Sequence, residues 1–150
     1  MAISIQNRKN KPRIATAKAK KIAQTICAAL DSTDSDLSVV LADDATIHTL
    51  NLKWRGKDKE TDVLSFSQRE GDAFPAPSQA PMLGDVVISM DTAQRQAQKI
   101  GHSLEDEVAR LLVHGVLHLL GHDHVQGGAQ SRKMKAEEAR ILEILKRSAV

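Results

Sequence analysis

Apolar residues alternate with polar ones in some stretches of this chain and recur at helical spacing in others. Ile3 to Gln6 alternate as a short strand does. From about Pro12 to Leu30 the apolar positions follow a helical period, with the proline near the first turn. Leu37 to Ala42 is a β-branched apolar run, which predicts a buried strand. Asp43 or Asp44 is placed to cap a helix that carries Ile47, Leu50 and Trp54 and ends at Gly56. Thr61–Ser67 (TDVLSFS) and Leu83–Ser89 (LGDVVIS) read as two further strands, and EGDAFPAPSQAP between them reads as a mobile surface loop. Asp91 is expected to cap a helix running to Gly101. Ser103 with Asp106 resembles a capping box that opens a helix from about Leu104 to Leu120, stopped by Gly121. A last helix, roughly Gln130 to Arg147, sets Met134, Ile141, Leu142 and Leu145 on one face. This pattern predicts one α/β (α+β) domain covering residues 1–150. Its small mixed sheet would have about four strands packed with about five helices.

Composition narrows the chemistry. A chain of 150 residues with 41% apolar and 27% charged side chains is an ordinary globular domain. Aromatics make up only 2%, so the core is aliphatic, and stacking on aromatic platforms is excluded as the main mode of nucleic-acid binding. The single cysteine, Cys27, rules out an internal disulfide and any multi-cysteine zinc site; its helical neighbours Ile22, Ala23, Ile26 and Leu30 make it a core residue. The opening MAISIQNRKNKPR lacks the apolar stretch of a secretory signal, and no segment approaches membrane-spanning length. A cytoplasmic protein without a membrane partner is expected. Net charge is +2 but uneven: the first thirty residues carry Arg8, Lys9, Lys11, Arg13, Lys18, Lys20 and Lys21 and no acid. That segment is either an electrostatic footprint for phosphates or a solvated helix face.

The most informative stretch is LLVHGVLHLLGHDH, residues 111–124, which holds four of the six histidines. His114 and His118 are the only ionisable side chains from Leu111 to Leu120, and burying an unpaired imidazole is costly, so a partner is required. Residues four apart lie on one helix face and can converge on a single cation, while a helix stop at Gly121 lets His124 return as a third ligand. A chance HxxxH pair is expected roughly 0.2 times in a chain of this composition, and a third histidine six residues on lowers that to roughly 0.01. The spacing HxxxHxxGxxH is also that of metzincin-type metalloproteases, but their general-base glutamate follows the first histidine, and here that residue is Gly115. Three neutral imidazoles leave a zinc ion its full positive charge and an open position, suited to an anionic substrate. LNLKWRGKDKETDVLSF, residues 50–66, adds Lys53, Arg55, Lys57 and Lys59 at alternate positions, and Arg55 becomes a candidate phosphate ligand.

Taken in order, LNxxxRGxDxxTDVLSF, LGDVVIS, HGVLHLLGHDH and MKAEEARIL resemble the YbeY family from about residue 37 to residue 145. Those proteins are bacterial, single-strand-specific, metal-dependent endoribonucleases of rRNA maturation and ribosome quality control. The resemblance implies that His114, His118 and His124 bind the metal, one zinc or other divalent ion per chain, on a central helix and the turn after it. It also implies that Arg55 faces the substrate, so that Arg55, His114 and His118 form the catalytic set. The implied activity is hydrolysis of single-stranded RNA, including 16S rRNA 3′-end maturation. The ribosome or its assembly factors are the implied partners, and no DNA specificity is expected. His122 and Trp54 stand where the family usually has Tyr, and Glu60 where it usually has Pro. Asp123 or Asp85 is a candidate to orient a ligand imidazole, with a plain turn or capping role as the alternative. Two other classes share the histidines: a zinc hydrolase of another substrate, such as a peptidase, and a non-catalytic ribosome- or RNA-binding protein with a structural metal.

Overall fold

The computed structural model describes residues 3–9, 11–67, 82–121 and 128–148. Among them the elements run β1 (Ile3–Asn7), α1 (Thr16–Ala29), β2 (Asp36–Ala42), α2 (Asp44–Arg55), β3 (Val63–Ser67), β4 (Met82–Ser89), α3 (Met90–Ile100), α4 (Leu104–Leu119) and α5 (Gly128–Ser148). The four strands form one mixed sheet in the order β1-β2-β4-β3, with β3 antiparallel to β4 and the other pairs parallel. This is the single α/β domain expected from the sequence. The loop expected over residues 70–81 lies outside the described residues. No described helix is long and apolar enough to cross a membrane.

Successive side chains of a strand point to opposite faces, and here both faces are covered, which is why β2 and β4 carry the continuous apolar stretches VVLA and VVI. Leu37, Val39 and Leu41 of β2 and Val86 and Ile88 of β4 face a large core with Ile22 and Ile26 of α1, Leu112 and Val116 of α4, and Met134 and Ile141 of α5. Ala42 and Val87 point the other way, into a smaller cluster with Ile47 of α2 and with Leu64 and Phe66 of β3. Cys27 is wholly buried, and burial pushes its thiol above the ordinary range.

Caps settle several boundaries. Asp43 is the cap of α2, accepting from the Thr46 amide at 2.8 Å. Its neighbour Asp44 instead accepts from the Ser89 and Thr92 hydroxyls at 2.6 and 2.7 Å and from Arg95 at 2.9 Å, tying α2 to α3. The cap of α3 is Ser89 rather than Asp91, because β4 runs into α3 without a loop and the Ser89 hydroxyl meets the Thr92 amide at 3.2 Å. Asp91 accepts from the Asp44 amide and pairs with Lys9. Helix α1 begins at Thr16, later than its pattern suggests. The Asn7 side-chain amide donates to the Ile14 carbonyl at 3.0 Å with Ile14 buried, so the chain stays out of the helix up to Ala15, which is itself extended. Ser103 caps α4 as expected, and the chain leaves it through Gly121 at φ 92°.

Candidate metal centre and phosphate contact

Helix α4 lies against the sheet at Gly115. A methyl group there would stand 2.7 Å from Val86 Cγ1, 3.1 Å from Ser65 Oγ and 3.3 Å from Val63 Cγ2, so only hydrogen fits. The Ser65 hydroxyl donates to the Gly115 carbonyl at 2.8 Å, joining edge strand β3 to the helix at that point. A helix turns about 100° per residue, so with Gly115 against the sheet, His114 and His118 are carried to one flank. Their Nε2 atoms are 3.0 Å apart and their rings meet edge to face, with centroids 4.5 Å apart at 67°.

Two imidazole nitrogens that close share either a proton or a cation. Tetrahedral zinc with bonds of about 2.0–2.1 Å places its nitrogen ligands about 3.3 Å apart, so the pair fits a metal with little movement. The other residues assigned near the metal, His122, Asp123 and His124, lie outside the described residues. Among the described residues no group of three or more His, Cys, Asp or Glu is placed to hold a metal ion.

With both Nε2 atoms turned toward each other, Nδ1 of His114 points outward, and Glu138 of α5 presents a carboxylate oxygen 3.7 Å away. That is longer than a hydrogen bond, but the carboxylate charge favours a proton on Nδ1 over one on Nε2, the nitrogen that faces His118. Glu138 was not singled out from the sequence, although it lies within MKAEEARIL. Glu107, Arg110, His114 and His118 lie at helical spacing along one flank of α4. The wholly buried Glu107 is held by Arg110 and by His102 at 2.8 Å. The hydrogen bond to Glu107 is the first reason that the Arg110 guanidinium is held above its ordinary range, and Glu138 adds to the effect.

Arg55, the last residue of α2, approaches the same strand residue from the other side. It donates to the Ser65 carbonyl at 2.6 Å and lies over the Phe66 ring, 4.7 Å from its centroid. Ser65 therefore touches both Arg55 and the carbonyl of the residue after His114, and the fold brings together two segments far apart in sequence. Lys53, Lys57 and Lys59 are exposed nearby. Asp85 is not brought to His114 or His118. It sits on the β4 face opposite Val86, where burial raises its carboxyl against a hydrogen bond from Ser38. In the basic N-terminal segment, Lys9 pairs with Asp91 at 3.1 Å and Arg8 donates to Gln6, while Lys11, Arg13, Lys20 and Lys21 are exposed.

The profile of the family described as Endoribonuclease YbeY matches residues 4–146. The chain belongs to that family. It is similar to the YbeY endoribonuclease of Aquifex aeolicus (strain VF5), 46% identical over 138 residues that cover 92% of this chain and 89% of that protein. The Geobacter metallireducens and Geobacter sulfurreducens YbeY endoribonucleases are 42% and 41% identical. They align with 100% and 97% of the chain and with 99% and 96% of their own lengths. A Thermotoga maritima protein solved in solution shares the fold, with a TM-score of 0.63 at 22% identity over 95% of this chain and 87% of that one. The protein is therefore an endoribonuclease, a hydrolase whose substrate is RNA. Within this YbeY chain Gly115 has a clear physical reason. The position that carries a general base in metzincins is pressed against the sheet and cannot hold any side chain.

Proposed function

We propose that residues 1–150 form a single metal-dependent endoribonuclease domain that cuts single-stranded RNA. It acts in the cytoplasm, in rRNA processing at the 16S 3′ end and in ribosome quality control, with the ribosome or its assembly factors as partners. The observation that carries the metal reading is the pair of Nε2 atoms 3.0 Å apart, with a carboxylate behind His114 and Arg55 attached to the adjoining strand residue.

His114, His118 and His124 would hold one divalent cation per chain, with zinc matching the imidazole donors. When bound, that ion supplies positive charge and lowers the pKa of water at the scissile phosphodiester. The chain's own residues do the rest. Glu138 holds the tautomer of His114. The Arg55 guanidinium grips non-bridging phosphate oxygens, and its contacts with Ser65 and Phe66 fix it before charge develops there. The exposed lysines 53, 57 and 59 draw in the polyanion.

A metzincin-like peptidase is disfavoured by the sealed Gly115 position, and a structural metal by the arginine, which such a site does not need. The test is cleavage of a single-stranded RNA oligonucleotide by purified protein. Activity should vanish with a chelator and return with one equivalent of divalent metal. Cleavage that persists in the chelator would remove the metal from the reading.

A further inference from the structure

Trp54 is the chain's only tryptophan, and no tyrosine accompanies it. It is 40% exposed at the end of α2, immediately before Arg55. A lone apolar residue on a surface is ordinary and decides nothing. The way this one is held is more telling. Its indole meets the buried Phe66 ring edge-on, with centroids 6.5 Å apart at 68°, and the Arg55 guanidinium lies over that same ring at 4.7 Å. Arg55 also donates to the Trp54 carbonyl at 3.3 Å. One phenyl ring thus holds an indole and a guanidinium side by side at the end of α2.

One cation stands over the indole, and others are exposed along the same segment. Lys53 Nζ lies 5.2 Å from its centroid, and Lys57 and Lys59 follow. Of the acids in this segment, Asp58 is paired with His48 at 2.6 Å, Glu60 is exposed, and Asp62 accepts from the Val63 amide at 2.8 Å. A π surface among cations matches a strand whose bases are unpaired: a base stacks while its phosphates meet the charges. A duplex, whose base faces are already stacked, gains only the electrostatic part.

We propose that Trp54 is a stacking subsite for one unpaired base adjoining the phosphate that Arg55 contacts, and that it contributes to the choice of single strands. This rests on the role given to Arg55 above. One indole is consistent with the aromatic-poor composition: stacking is a local selector, and the charges supply most of the affinity.

Because no other indole is present, intrinsic emission reports on Trp54 alone. Titration with a short single-stranded RNA should quench it to saturation. A duplex of the same sequence, or an abasic strand with as many phosphates, should not. Trp54→Ala should weaken single-strand binding about tenfold or more and raise KM more than it lowers kcat. Trp54→Phe should restore most of the loss, whereas Trp54→Leu, apolar but without a π face, should not. Emission unchanged by an RNA that binds and is cut would overturn the subsite and leave Arg55 untouched. So would parental affinity and KM in Trp54→Ala alongside impaired Arg55→Ala, which would assign the exposed indole to a protein partner. Failure of the parent to bind single strands would overturn both readings.

Discussion

The two faces of the sheet differ in what they tolerate. Under α4 the packing is closed: Val39, Leu41, Val86, Ile88, Leu112, Val116 and Leu117 are all wholly buried, and at Gly115 even a methyl group has no place. On the α2 face a small cluster of Ala42, Ile47, Leu64, Phe66 and Val87 supports a helix whose end exposes Lys53, Trp54 and Arg55. A metal site needs its ligands fixed within a fraction of an ångström, whereas a strand of RNA needs charge and surface within reach. His114 and His118 sit on the closely packed side and the proposed substrate contacts on the open side, and Ser65 joins the two. Substitutions should divide along the same line.

The largest effect is expected on the open side. Arg55→Ala should lower RNA turnover by about 10²–10³ while metal content and thermal midpoint stay near the parent's, because it removes a charge acting on the phosphate and not a ligand. Lysine at 55 should recover only part of the rate, since a point charge lacks the bidentate fork. If Arg55→Ala also lost metal and stability, the two faces would not be separable.

Next in size is the carboxylate behind His114. Glu138→Ala should weaken metal binding by about 10–100-fold in a chelator competition, with Glu138→Gln intermediate. Parental affinity in both would detach Glu138 from the site.

Gly115→Ala probes the rigid face. In an open helix this change stabilises by about 1 kcal/mol. Here the contacts at 2.7 and 3.1 Å should reverse the sign. A loss of about 1–3 kcal/mol in denaturant unfolding is expected. A gain in stability would show that α4 can move off the sheet.

The smallest effect concerns Asp44 at the α2–α3 junction. Burial alone would raise its carboxyl, but hydrogen bonds from Ser89, Thr92 and Arg95 together hold it below the ordinary range. A carboxyl depressed in the folded state stabilises fully above its unfolded value of about 3.9, and the contribution is lost as pH falls through the lower folded value. Asp44→Asn should therefore cost about 1 kcal/mol near neutral pH, a difference that shrinks below about pH 4. A difference constant across that range would assign the loss to packing.

Much of this was legible in the sequence because local rules agreed with tertiary ones. The buried strands, the Ser103 cap and the Met134–Leu145 stripe follow from periodicity and capping alone, while the α2 cap was narrowed only to Asp43 or Asp44. So does the nomination of His114 and His118, since an i, i+4 pair on a helix must share a face. The start of α1 was not legible, because a contact between Asn7 and Ile14, not propensity, keeps the preceding segment out of the helix. Nor was the cap of α3, because β4 and α3 meet without the turn that Asp91 seemed to mark. Glu138 needed the packing of α5 on α4, and its acidic neighbours Glu137 and Glu143 look the same in one dimension. Asp85 looked equivalent to any acid near the motif until strand alternation turned it to the other face. Arg55 was nominated by charge, but its link to the helix through Ser65 exists only in three dimensions.

The most direct test of the central claim is metal content measured with RNA cleavage on the same samples of His114→Ala, His118→Ala, His124→Ala and His122→Ala. The parent should bind one metal ion per chain. The first three variants should lose metal and cleavage together, and His122→Ala should keep both. A metal-free variant that cuts RNA at the parental rate, or metal lost from His122→Ala and kept in His124→Ala, would contradict it.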